Sequence, residues 1–583
     1  PMVDIARDPR WGRVSEGAGE DVYYAKLVAE ARVRGFQGND LSAPNTVIAC
    51  AKHYAAYGAA QAGRDYSTVD ISERTLREIY LPPFKAAKEA GVKTFMTSFN
   101  ELNGVPASGN KMLLTDILRD EWGFDGFVVT DYTSINEMVD HGNVADEKEA
   151  GELSFTSGVD MDMQGAVYYN YLAQSVAEGK VTVEQIDRAV RRILTIKEAL
   201  GLFDDPYRYC HPSRQAATLL SDKNLAFARE VARKSIVLLK NKNKVLPVDR
   251  NKKIALIGPL GNAQYELLGS WHGAGDAKDC VTPLTGLQAQ TTAEITYVKG
   301  CDLNSEDRSG FAEATEAANA ADIVVLAIGE GADMSGEAAS RSEIGLPGVQ
   351  LELAKEMIKT GKPVIVILMN GRPMAIPWLA ENADGILETW FLGSQAGNAI
   401  ADVLFGAYNP SGKLPVTFPR NVGQVPIFYY MKNTGRPMDP NDKYTSKYLD
   451  VDNSPLYPFG FGLSYTTFNY TDLKVNKPVF KVSDEITVSV KVTNTGNYDG
   501  EEVVQLYIRD LVGSVTRPVR ELKAFEKVFI EKGKSKTVSF VLTAEDFKFF
   551  DIDMKYTTEP GDFEIFVGTN SDASLSKKIK LVD

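Results

Sequence analysis

Short apolar runs alternate with helical stretches over the first 205 residues, and that alternation constrains the fold more than any other feature of the chain. The runs at 2–6, 47–51, 93–99, 127–131 and 159–163 read as strands. Helices are predicted over 21–35, 72–90, 111–122, 145–156 and 182–202. Ser72 is a plausible N-cap, and Ile186, Val190, Ile193 and Leu194 share one face of the last helix. Alternation at this spacing specifies a parallel sheet with helices outside it. Arg7, Lys52-His53, Asn100, Asp131 and Asp162 fall at strand ends, which favours a (β/α)8 TIM-type barrel with its chemistry on the C-terminal rim. Five units are visible, so the barrel is expected to be N-terminally incomplete, with about three units before Pro1.

After Pro206 the pattern restarts. The predicted division is a barrel at 1–205, a linker at 206–223, an α/β sandwich at 224–420, a connector at 421–467 and an all-β domain at 468–583. In the α/β region a helix over 224–240 precedes buried runs at 254–258, 323–328, 364–368 and 385–390. Helices at 310–320, 347–360 and 396–405 separate them, as in an open layered sheet. The stretch 406–467 is rich in Pro, Gly and Tyr and has little periodicity, so it reads as a long ordered connection. Beyond it Ile486, Val488, Val490 and Val492 alternate with Thr487, Ser489 and Lys491. With further runs at 503–508, 537–542 and 563–567, this predicts a fibronectin type III-like β-sandwich.

Composition excludes more than it assigns. The chain is 44% hydrophobic and 24% charged, ordinary values for a globular protein. No apolar run reaches the roughly 18 residues that a membrane helix needs. A net charge of −14 argues against nucleic acid or an anionic membrane as partner, since both call for a basic face. A neutral ligand fits better. The four cysteines have neither CxxC spacing nor paired histidines, so no metal site is predicted.

The most suggestive single residue is Asp131, which closes Phe127-Val128-Val129-Thr130. In that position a carboxylate either caps the next helix or stands on the barrel rim as a nucleophile. Its neighbours in sequence carry a resemblance. Ala6-Arg7-Asp8-Pro9-Arg10-Trp11-Gly12-Arg13, Ala51-Lys52-His53-Tyr54 and Gly126-Phe127-Val128-Val129-Thr130-Asp131 resemble motifs of glycoside hydrolase family 3. So do Leu368-Met369-Asn370-Gly371-Arg372-Pro373, Asn409-Pro410-Ser411-Gly412-Lys413-Leu414-Pro415 and Tyr457-Pro458-Phe459-Gly460-Phe461-Gly462. The likeness covers nearly the whole chain and looks strongest to the family's bacterial periplasmic β-glucosidases.

That resemblance implies a set of roles. A retaining glycosidase uses two carboxylates, one as nucleophile and one as acid/base. Asp131 takes the first role. Ser335-Gly336-Glu337-Ala338-Ala339-Ser340-Arg341 resembles the family's acid/base loop, which points to Glu337 from the second domain; Glu330 and Glu343 are its rivals. Arg13, Lys52 and His53 correspond to the sugar-binding set, and Met96, Phe99 and Tyr132 to the pocket lining. Phe99 stands where some members have Tyr, and so lacks a hydroxyl that could touch the nucleophile. A further sugar-binding Asp of the family would precede Pro1.

The implied activity is an exo-acting β-glucosidase, periplasmic or secreted, that needs no cofactor. It would release glucose from the non-reducing ends of β-glucosides and cello-oligosaccharides by double displacement on Asp131. Tyr54-Ala55-Ala56-Tyr57-Gly58-Ala59-Ala60 lacks the Asp–His pair of the family's β-N-acetylglucosaminidases. Xyloside or arabinoside hydrolysis is the neighbouring reading, and a non-catalytic sugar-binding protein is the reading from another class. In the connector, Arg436 and Tyr444 suit an outer sugar subsite, serving their own chain or a partner in a homodimer.

Overall fold

Five consecutive segments pair in parallel, in chain order, in the first of two units of the computed structural model, which describes residues 1–583. That unit comprises residues 1–11 and 16–218. Strands β1 (Cys50–Tyr54), β2 (Thr94–Thr97) and β3 (Phe127–Val129) form its ladder. Single parallel bridges, Met2 to Lys52 and Val129 to Met161, add the outer two segments. Helices α1 (Val22–Gln37), α2 (Pro82–Glu89), α3 (Glu147–Ser157), α4 (Val167–Ala177) and α5 (Val183–Ala199) accompany the strands. Ile5, Ala51, Phe84, Phe95, Leu114 and Val128 lie in one buried core. Gly126 opens β3 against its neighbour so closely that a Cβ there would lie 2.1 Å from the Lys93 carbonyl oxygen.

The sequence expectations need several corrections here. β1 starts three residues later than predicted, because pairing of Cys50 with Thr94 and Tyr54 with Thr97 sets its register. Lys52 and His53 therefore lie within the strand rather than after it. The predicted helix at 72–90 begins as expected, with the Ser72 side chain accepting from the Thr75 N–H, but it does not run unbroken. It widens at Leu76–Tyr80, where Leu81 N–H reaches back five residues to Leu76, and restarts at Pro82. In α5 the buried positions are Ala189 and Ile196, whereas Val190 and Leu194 of the predicted apolar face are exposed. No helix is long and apolar enough to cross a membrane.

The second unit comprises residues 12–15 and 219–583. Its first layer is a six-stranded sheet built from β4 (Val237–Asn241), β5 (Ile254–Ile257), β6 (Ile295–Val298), β7 (Ile323–Gly329), β8 (Val364–Met369) and β9 (Gly385–Glu388). The spatial order is β4-β9-β8-β7-β5-β6, and only β4 runs antiparallel. β7 and β8 are buried at every position, as central strands covered on both faces must be. Helices α6 (Asp222–Ser235), α7 (Phe311–Ala320), α8 (Gln350–Lys359) and α9 (Ala396–Leu404) complete the layers. The helix predicted over 224–240 stops at Ser235. Ile236 is already extended, and Val237-Leu238-Leu239 pair with β9 as a buried strand.

The C-terminal sandwich carries the predicted alternation. Ile486, Val488, Val490 and Val492 are buried, while the residues between them are partly or fully exposed. Three strands around Ile486–Asn494 face a five-stranded sheet that contains Gly500–Asp510 and Gly561–Gly568. The connecting stretch is ordered: Phe418 pairs with Tyr457, Leu463 pairs with Leu238, and Phe418 and Tyr457 join the core of the α/β sheet.

Candidate active site

Asp131 lies two residues beyond β3, at the C-terminal ends of the parallel strands. Its side chain is 12% exposed. One carboxylate oxygen accepts the N–H of Tyr132 at 2.8 Å, which fixes the carboxylate on its own turn. It caps no helix: the next one, Glu137–Asp140, begins after Asn136 and has no side-chain cap bond. The other oxygen faces His53 Nε2 at 3.5 Å.

His53 is buried and is held from behind. Asp4 Oδ2 accepts its backbone N–H at 2.8 Å and lies 3.1 Å from Nδ1. A carboxylate on Nδ1 fixes the ring plane and keeps a proton on that nitrogen. The side of the ring facing Asp131 is therefore set by a residue 49 positions earlier in the chain. In the sequence Asp4 is only part of a strand, because an acidic residue in an apolar run gives no local sign of a distant partner.

The other expected residues of the first unit are placed as follows. Lys52 and Met96 are half-buried; Met96 pairs with Val129 across the β2–β3 ladder. Tyr132 is exposed. Phe99 is buried in an aromatic group with Tyr66, centroids 5.2 Å apart, and Tyr57, at 6.1 Å. Two residues expected on the rim have structural work instead. The Arg7 guanidinium bonds the Tyr80 hydroxyl at 2.8 Å and stacks on its ring. Asp162 accepts the N–H groups of Val167 and Tyr168 at the start of α4.

In the second unit, Arg13 and Glu337 come together. Arg13 Nη1 is 3.5 Å from Glu337 Oε1, with Arg13 buried and Glu337 about a quarter exposed. The Gly336 N–H donates to the Gly12 carbonyl at 2.7 Å, so the short 12–15 segment is bonded to the Glu337 loop. Of the rival acids, Glu330 is fully buried and ion-paired with Arg372 and Arg341, which leaves it unsuited to meet a substrate. Glu343 is exposed. Trp271, which was not anticipated, is 63% exposed, and its Nε1 lies 3.9 Å from where a Cβ of Gly336 would stand. Arg436 and Tyr444 are exposed, and Arg436 Nη1 donates to the Tyr444 carbonyl at 3.4 Å, a bond within their own loop.

Comparison with known proteins gives the family. Residues 1–196 match the glycosyl hydrolase family 3 N terminal domain, residues 236–465 the C-terminal domain of the same family, and residues 502–571 a fibronectin type III-like domain. The chain belongs to glycoside hydrolase family 3 and is a glycosidase. It is 45% identical to a periplasmic β-glucosidase of Salmonella typhimurium, over 98% of this chain and 78% of that protein. It is 42% identical to a β-xylosidase of Formosa agariphila, over 100% of this chain and 82% of that one. Among solved structures, a mutant Listeria innocua β-glucosidase in complex with laminaribiose matches with a TM-score of 0.97 at 40% identity, covering 100% of this chain and 81% of the other.

Proposed function

We propose that the protein is a retaining, exo-acting β-glucosidase in which Asp131 is the nucleophile and Glu337 the acid/base. Attack of Asp131 on the anomeric carbon forms a glycosyl-enzyme while Glu337 protonates the departing oxygen; Glu337 then takes a proton from the water that releases glucose. The observation that carries this reading is the fixed carboxylate of Asp131 at the strand ends, facing a buried histidine that Asp4 holds in place. Arg13, Lys52 and His53 are assigned to the sugar hydroxyls, with Met96, Phe99 and Tyr132 as pocket wall. The Asp131→Asn variant of the full-length protein is expected to lose at least about 10³-fold in turnover of an aryl β-glucoside. Near-normal turnover would remove the assignment.

The relatives support the substrate class. The Salmonella protein is called a periplasmic β-glucosidase, and the Listeria enzyme has been solved with laminaribiose and with glucose. β-Linked glucosides and short oligosaccharides in the periplasm are the proposed setting. The β-xylosidase relative at 42% identity supports a second reading, which the ratio of kcat/KM on aryl β-glucoside and aryl β-xyloside separates. Arg436 and Tyr444 would extend the site outward. Unchanged cellobiose kinetics in Arg436→Ala, with a monomeric mass in solution, would exclude them and the homodimer together.

A further inference from the structure

The loop that carries Glu337 has no bulky side chain of its own to pack it. Ser335-Gly336-Glu337-Ala338-Ala339-Ser340 offers only small side chains around the acid, and Gly336 and Ala338 both have positive φ, 90° and 55°. It belongs to no helix or strand: the short turn at Ala332–Met334 ends before it and α8 begins at Gln350. A loop of this kind cannot fix a catalytic carboxylate through its own packing.

One buried side chain reaches it at two points. Arg372 is fully buried, and its Nη2 donates to the carbonyl of Ala339 at 2.8 Å and to that of Met334. Those carbonyls lie on either side of Glu337. Nε of the same guanidinium donates to Glu330 Oε1 at 2.9 Å, and Arg341 Nη1 reaches that oxygen at 2.5 Å. Glu330 sits directly after β7, and Arg372 follows β8 by three residues, so both anchors stand on the two central strands of the sheet. The turn that presents Arg372 also presses on the loop. A Cβ on Gly371 would lie 2.2 Å from Ser335 Oγ.

We propose that Arg372 is a positioning residue for general acid/base catalysis: its guanidinium, anchored on Glu330, brackets the loop that carries Glu337 and sets where that carboxyl stands. Planar, multidentate and permanently charged, a guanidinium can serve two carbonyls and a carboxylate together, whereas an ammonium on a flexible stem serves them without fixed geometry. The inference rests on Glu337 being the acid/base.

The two ideas separate in one experiment. A misplaced acid slows departure of poor leaving groups and spares good ones, whereas general damage to the fold lowers activity on all alike. Wild type, Glu337→Ala and Arg372→Lys are compared in kcat/KM, which reports the leaving-group step, on aryl β-glucosides from 2,4-dinitrophenyl to phenyl, and in kcat with and without azide, which reports release of the glycosyl-enzyme. Glu337→Ala is expected to lose about 10²–10⁴-fold on the phenyl substrate, far less on the dinitrophenyl substrate, and to gain rate with azide. Arg372→Lys is expected to show the same split at about 10–100-fold. A uniform loss in Glu337→Ala overturns the acid/base assignment, and the bracket with it. A split in Glu337→Ala beside uniform loss or no loss in Arg372→Lys overturns the bracket alone. Should Arg372→Lys not fold, Glu330→Gln weakens the same anchor with an isosteric side chain; it must show the split in smaller measure, and a uniform profile refutes the proposal.

Discussion

At the scale of single residues, the pairing of Asp4 with His53 is the least expected finding and the easiest to challenge. Removing one partner of a buried hydrogen bond to a charged group costs about 1–3 kcal/mol. Asp4→Asn should therefore lower kcat/KM on an aryl β-glucoside by roughly tenfold or more, by leaving the ring of His53 unheld before Asp131. Unchanged kinetics would show that His53 needs no such support. A second buried acid makes a prediction about pH. Burial pushes Glu388 up to about 8, while the side chain of Asn370 and the backbone N–H of Trp390 donate to its oxygens and favour the ionised form. Between its ordinary 4.5 and about 8, the folded protein holds a proton that the unfolded chain has released, so this residue makes stability fall as pH rises through that window. Glu388→Gln should raise the melting temperature at pH 8 and leave it nearly unchanged at pH 4. The glutamine suits the site, because Asn370 Oδ1 has no donor and can accept from it once the amide turns. Asp131 was legible in the sequence, since a strand end and a motif coincide there. The roles of Asp4, Glu388 and Arg372 were not, although Arg372 lies in a motif, because they depend on partners far along the chain.

At the scale of elements, Asp160 ties three pieces of the first unit together. Its two oxygens meet Arg119 and Arg192 at 2.7 Å each, and Oδ2 also accepts the Val128 N–H of β3. Burial lowers Arg119 to about 10, a value that still leaves it charged at neutral pH. Asp160→Ala takes the carboxylate from the largely buried Arg119 and the partly exposed Arg192 and is expected to cost about 3 kcal/mol, read as an earlier first unfolding transition on heating. A transition at the wild-type temperature would mean that the strand and α5 hold without it. The start of α5 was readable, and its Thr182 and Gln185 side chains complete a reciprocal cap. α4 was missed for a physical reason. Its entry residue, Ala166, has a positive φ and offers no cap, and the capping carboxylate comes from Asp162, five residues before the first helical amide. The break in the predicted 224–240 helix is a similar case, in which pairing with β9 overrides helical periodicity.

At the scale of the whole molecule, the order of architectures was legible because each has its own period: strand–helix alternation, buried parallel runs, then strict alternation in the sandwich. The assignment of substrate is finer than the fold can give, since relatives called β-glucosidase and β-xylosidase lie at 45% and 42% identity. The full-length protein is expected to prefer aryl β-glucoside over aryl β-xyloside in kcat/KM. The reverse preference would move it to the second reading without disturbing the catalytic carboxylates. Trapping the glycosyl-enzyme identifies the nucleophile. The protein is incubated with 2,4-dinitrophenyl 2-deoxy-2-fluoro-β-glucoside, and intact mass and peptide mapping are read. One fluoroglucosyl group on the peptide containing Asp131, absent in Asp131→Asn, is the predicted result; an active enzyme that carries the label on another carboxylate, or none at all, would contradict it.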